Sequence, residues 1–300
     1  MLSRNNPDAS YFLSELYRMP TKFKSENSTI TTSPPSDFMV YAQRNKPFEI
    51  LSDISTVVHE GCHMYQSQKA YVMLSEMGQA IDFDLDYTVY FIAQNEEYLV
   101  KHTPTFPSIK IAGEIPKALQ SFRYATYIKT NQSILGTQQS GVYGLMEEWS
   151  AYYNGLKTTV LNYPEYAALA NGTMDAYLSF LSDVGSIRMA YPEFKYYILQ
   201  YLEYASRKEK EVYGQVIDNE DFRITFRAID NAYASCMSIV EKRKEEIKAL
   251  AESKGLDMRE TEKYTMIGNK GVGSFNNEFS AYQKAMDDPK FNAILSALSQ

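Results

Sequence analysis

Two of the chain's three histidines, His59 and His63, stand four residues apart inside a long stretch of helical periodicity. From Phe48 to about Ser75 the apolar residues recur at intervals of three and four, which predicts one continuous helix. At about 100° per residue, Ile50, Leu51, Ile54, Val57, Val58, Gly61, Cys62 and Tyr65 share one side of it. His59 and His63 fall on the opposite side with Ser52, Thr56 and Gln66, and Glu60 lies near them. A fold built on this helix has to cover its apolar side and find polar company for the other.

Residues 58–66 read VHEGCHMYQ, which contains the H-E-x-x-H pattern. Positions i and i+4 sit one above the other on a helix, so two imidazoles can grip one ion. Zinc is the ion this pairing suits, with Glu60 left free as the base that activates water. Cys62 belongs to the apolar side and is expected to pack rather than to ligate or attack.

A catalytic zinc site needs a third protein ligand. One extended pattern puts a third histidine six residues after the second, where this chain has Lys69. His102 lies in a Pro-containing loop, Lys101–Ser108, and reads as a surface residue. A carboxylate on a later helix is the better source. Residues 141–156 read GVYGLMEEWSAYYNGL. Glu148 shares its side with Gly144, Ala151, Tyr152 and Gly155, and the three small ones, Gly144, Ala151 and Gly155, let another helix come close. Glu147 points toward Ser150 and Asn154, as a solvated acid or a supporting one. Glu148 is the first choice and Glu147 the second. Tyr152 or Tyr153 is a candidate donor to the oxyanion, with Tyr152 nearer Glu148; the alternative is that both simply pack.

HEGCH followed far downstream by EEWSAY resembles the gluzincin group of zinc metallopeptidases. In that group the third ligand is the Glu of a helical E-x-x-A segment, matched here by Glu148-Trp149-Ser150-Ala151. The resemblance is confined to these two segments. It implies a zincin-like fold, zinc held by His59, His63 and Glu148, Glu60 as catalytic base, and a peptide or protein substrate. Some gluzincins carry an Asp four residues after the Glu to support a histidine. Tyr152 occupies that position here, so the support has to come from elsewhere.

The remaining chain reads as an α+β protein, mostly helical, with a small sheet beside the active-site helix. Helices are expected at 8–18, 115–130, 140–157, 165–185, 192–206, 219–253 and 277–299, with a strand or hairpin at 82–93. Residues 25–37 read as a polar connection, and 260–275 as a short strand, a turn and a second extended piece. No linker cuts the chain, so residues 1–300 are expected to form one catalytic domain, with 1–135 and 136–300 as its subdivisions. Gly268–Gly273 lacks the Gly-Lys-Ser/Thr of a phosphate loop and reads as a tight turn. Glu241–Lys248 mixes signs as a solvated helix face does.

A net charge of −7 argues against nucleic acid and against an anionic membrane surface. There is no apolar run long enough to insert in a membrane, and Cys62 and Cys236 make no disulfide framework. The sequence as written has no leader and suggests the cytoplasm; a secreted protein with its leader removed would read the same. A zinc hydrolase of a non-peptide amide or ester, and a silent binding protein of the same fold, are the competing readings. The intact Glu60 speaks against the silent one.

Overall fold

The chain enters through two helices, α1 (Leu2–Asn5) and α2 (Pro7–Leu16). The Asn6 side chain caps α2 by accepting the Ala9 N–H at 3.2 Å. The computed structural model describes residues 1–24, 29–42, 44, 46–79, 81 and 86–300. Strands β1 (Lys22–Lys24) and β2 (Thr29–Thr31) pair antiparallel, with Phe23 opposite Ile30. The rest of the connection expected at 25–37 either lies outside strands and helices or, at 25–28, lies outside the described residues.

The long helix is α3 (Pro47–Glu76), with Pro47 in the first turn, where its missing N–H breaks no helical bond. Its apolar residues Val57, Val58, Cys62 and Tyr65 pack with Phe12 and Leu16 of α2 and with Phe91. Gly61 admits α2, since a Cβ there would collide with Leu13 Cδ2. Of the strand or hairpin expected at 82–93, the structure shows one strand, β3 (Tyr87–Ala93), which pairs with β4 (Glu96–Lys101) beyond that range and is bulged between Phe91 and Ala93; residues 82–85 lie outside the described residues.

The helix expected at 115–130 does not form. After a 3₁₀ turn at Ser108–Glu114, a second, Lys117–Leu119, and a π turn, Tyr124–Ile128, stand in its place. Side chains capture the backbone there. Ser121 Oγ accepts the Arg123 and Tyr124 N–H groups at 2.9 and 3.2 Å. The Tyr127 carbonyl accepts from Ser108, Thr137 and Gln138 at 2.7–2.9 Å. These bonds compete with an α-helical ladder.

After α4 (Gly136–Gln139) comes α5 (Val142–Leu161), which is buried along most of its length. The helix expected at 165–185 is two, α6 (Tyr163–Leu169) and α7 (Asp175–Arg188). Asn171 and Gly172, at φ of 46° and 83°, turn the chain between them, a conformation these two residue types tolerate best. Next are α8 (Ala190–Lys208), α9 (Lys210–Asp218) and α10 (Glu220–Ser253). Strands β5 (Met258–Glu260), β6 (Tyr264–Ile267) and β7 (Lys270–Gly273) form an antiparallel sheet in that order. The helices α11 (Asn276–Met286) and α12 (Asn292–Leu298) follow.

The architecture is α+β, mostly helical with small antiparallel sheets. Helix α5 is its axis, packed against α3, α7, α8 and α10. Trp149 on α5 stacks with Tyr191 and Tyr233 at 6.2 and 5.6 Å and donates its Nε1–H to the Tyr191 carbonyl. No helix among the described residues is long and apolar enough to cross a membrane.

His102 is half-buried rather than exposed. Its ring stacks on Tyr143 at 4.4 Å, and its Nε2 lies 2.9 Å from Thr88 Oγ1. Burial pushes its pKa down to about 4. The folded protein therefore binds this proton less well than the unfolded chain, whose histidine titrates near 6.5. Stability from a neutral His102 is complete above that pH and is lost as pH falls from about 6.5 through about 4. The loss is at most about 3 kcal/mol by linkage. Urea unfolding across this range should show a shallower decline for His102→Gln than for the native chain; parallel declines would contradict the assignment.

Candidate metal centre

Helices α3 and α5 face each other, and Gly155 helps to hold them close: a Cβ at that position would lie 3.3 Å from the Ser55 carbonyl oxygen. The polar side of α3 consequently meets α5 rather than open water. His59 is 9% exposed, and Gln66 is fully buried.

His59 and His63 stand one turn apart, with their Nε2 atoms 3.1 Å from each other and their rings nearly perpendicular. Glu148 Oε2, from α5, lies 3.5 Å from His63 Nε2 and 3.9 Å from His59 Nε2. These three residues each bring a ligand atom within 4.8 Å of the other two. Ligand atoms held about 2.0–2.1 Å from a tetrahedral zinc lie about 3.3 Å apart by geometry, so the observed separations fit. Glu148 Oε2 is also buried and makes no hydrogen bond among the described residues, as an acceptor kept for a cation would be. The donor set, two imidazoles and one carboxylate, is one that zinc accepts.

Glu147 does not join this set. Its Oε1 lies 2.6 Å from His63 Nδ1, on the far side of the ring from Glu148, and accepts from Gln66 Nε2 at 3.2 Å. A carboxylate on the second ring nitrogen fixes the tautomer of a ligand histidine and raises its basicity. The support missing at Tyr152 is supplied here by the residue next to the ligand. The sequence signal was the pair of adjacent acids on different sides of one helix.

Charge is distributed unevenly. Burial, together with His63 and Arg123, holds the His59 pKa well below its ordinary value, so the ring is neutral and one of its nitrogens keeps a free lone pair. Burial opposes charge on His63 too, but the Glu147 and Glu148 carboxylates outweigh it and hold its pKa well above the ordinary value. Burial raises the Glu148 carboxyl, partly offset by His63. Glu60 is raised by its own burial and by Glu148 and Glu147, against the pull of His63.

Glu60 borders a bay of about 160 Å³ with His59, Thr56, Tyr127, Tyr152 and Ile187. A cleft of about 420 Å³ opens on the His63 side between α3 and β2, lined by Leu16, Ile30, Pro35, Met64 and Tyr71. A third cavity, about 660 Å³, reaches Glu147 past Ser67, Thr88 and His102. Tyr152 lies in the site, its ring 4.3 Å from that of His59 and its hydroxyl 3.2 Å from Tyr127 Oη. Tyr153 faces away and packs on Tyr233. Cys62 is buried beside Asn154, and burial pushes its thiol well up, in keeping with a packing role. Tyr127 had no sequence signal, because the segment that carries it reads as an ordinary helix without a motif.

No family model, curated protein or solved structure matches this chain.

Removing the carboxylate beside His63 should weaken metal binding without abolishing it. Glu147→Ala is expected to lower zinc affinity by about 10- to 100-fold, with a smaller loss for Glu147→Gln, whose amide oxygen can still accept. Competition titration against a chromophoric chelator measures both, and native affinity in Glu147→Ala would remove Glu147 from this role.

Proposed function

We propose that this chain is a zinc-dependent hydrolase that cleaves peptide bonds. The observation that carries the reading is the convergence of His59, His63 and Glu148 at separations suited to one tetrahedral ion, with Glu60 beside them and outside the ligand set. An active-site helix, a glutamate helix across from it and strands beside the cleft support reading it as a zincin-like site.

His59, His63 and Glu148 would hold the zinc, which would supply Lewis acidity to polarise a carbonyl and to acidify water. Glu60 does the proton work. Its raised pKa makes it a better base than an exposed carboxylate, and it sits in a bay shared with His59. It takes a proton from the water whose oxygen bonds to the carbonyl carbon. It then delivers that proton to the amide nitrogen as the C–N bond breaks, so that the leaving group departs as a neutral amine. Glu147 and Gln66 keep the His63 ring oriented throughout. The cleft toward β2 and the polar cavity toward Thr88 give an extended chain room on the side of α3 beyond His63.

Glu60→Gln separates binding from chemistry. Zinc content by elemental analysis should match the native protein, while cleavage of a fluorogenic peptide library falls by about 10²- to 10⁴-fold. His59→Ala should lose both metal and activity. An unchanged cleavage rate in Glu60→Gln would sink the hydrolase reading. Turnover of small amides or esters but of no peptide would redirect it to the non-peptide class.

A further inference from the structure

His63 has a carboxylate on its second ring nitrogen; His59 has no such partner. His59 Nδ1 is buried and no side chain among the described residues bonds to it; the polar group that bears on it is the Ala151 backbone. A ligand histidine ordinarily uses that nitrogen to lock its ring. A neutral backbone group restrains the ring less than the carboxylate on His63 does.

The group in contact with it is Tyr152, whose ring centre lies 4.3 Å from the imidazole. That ring is itself held. The Arg123 guanidinium stands 4.5 Å from its centre, a cation–π distance, and Tyr127 Oη engages its hydroxyl at 3.2 Å. Arg123 is 4% exposed and forms an ion pair at 3.0 Å with Glu193, which is fully buried. Glu193 in turn accepts from Ser121, from Tyr197 at 2.9 Å and from Tyr282 at 3.2 Å. A buried ion pair with its remaining acceptor capacity filled is rigid, and losing one partner is costly.

We propose that Tyr152 is a positioning residue for His59, clamped by the Arg123–Glu193 pair, and takes the orienting role that Glu147 plays for His63. This differs from the sequence expectation of an oxyanion donor: the contact with His59 is made by the Tyr152 ring, while its hydroxyl meets Tyr127. The inference rests on His59 being a metal ligand, but the order of its ring can be read without metal.

The test uses the full chain with ¹⁵N-labelled histidine. In the metal-free protein, the His59 imidazole resonances should be sharp in the native chain and in Tyr152→Phe, and broadened in Tyr152→Leu. Zinc affinity should stay within about threefold of native in Tyr152→Phe and drop about tenfold or more in Tyr152→Leu. Glu193→Gln leaves the Tyr152 ring in place but removes the charge that holds Arg123; it should broaden the same resonances and serves where Tyr152→Leu fails to fold. Sharp His59 resonances in Tyr152→Leu or in Glu193→Gln overturn the proposal. So does a loss in Tyr152→Phe equal to that in Tyr152→Leu, which would assign the role to the hydroxyl. A native protein that takes up no zinc defeats the metal reading alone, since the metal-free spectra still decide what orders the ring.

Discussion

The candidate site depends first on one buried amide. Gln66 lies a turn beyond His63 with no exposure to solvent, and it bonds in three directions. Its Oε1 accepts the Phe91 N–H of β3 at 3.0 Å and the Ser150 hydroxyl of α5 at 2.9 Å, while its Nε2 donates to Glu147. An unmet amide in such a place would cost several kcal/mol. The bonds therefore fix the rotation of α3 relative to α5 and the hairpin together. Once that rotation is set, both histidines face Glu148, and Glu147 has one place to go. Asn154, a turn after Ser150, repeats the device by donating to the Phe91 carbonyl at 3.0 Å.

What the sequence made legible is what short-range geometry determines. H-E-x-x-H spacing is a property of one helix, and so is the division of Glu147 from Glu148 on α5. Both were readable without knowing what lay opposite. The helices built on strong periodicity, α3, α5, α8 and α10, appear close to where they were expected. The failures are places where a distant group decides. The end of the 115–130 segment is decided from outside, where Ser108, Thr137 and Gln138 take the Tyr127 carbonyl. His102 reads as a loop histidine until Tyr143, far along the chain, covers it. The helical spacing separated two sides of α3, and Val57, Val58, Cys62 and Tyr65 of the apolar side are buried, although Ile50 is exposed; it could not say that His59 and Gln66 of the polar side would be buried too, which depended on Ser150 and Glu147 being there to receive Gln66.

The abundance of tyrosine, 25 residues, acquires a physical meaning in the interior. Tyr90, Tyr201 and Tyr233 each bury a ring and hand their hydroxyl proton to a main-chain carbonyl, on Tyr143, Phe106 and Trp149 respectively. A phenylalanine would fill the same space and leave those oxygens to other donors. The phenol gives apolar area and a directed hydrogen bond from one side chain, so a core rich in it can be oriented as well as packed. The cluster around Glu193 extends the same chemistry to a charged pair.

That cluster also says how far the site extends along the chain. Tyr282 of α11 bonds to Glu193 and to the Leu119 carbonyl, and shares a hydrogen bond with Tyr197 at 3.0 Å. From Glu193 the contacts run through Arg123 and Tyr152 to His59. A fragment ending after α5 would keep His59, Glu60, His63 and Glu148, and the supporting Glu147 and Gln66 as well. It would still lack the partner of Arg123 and would leave a cation buried without an anion. Trimming this protein to its motif-bearing helices therefore saves the letters of the site and discards part of its scaffolding. The smallest piece that holds the centre in shape has to include the late helices, which contribute no ligand at all.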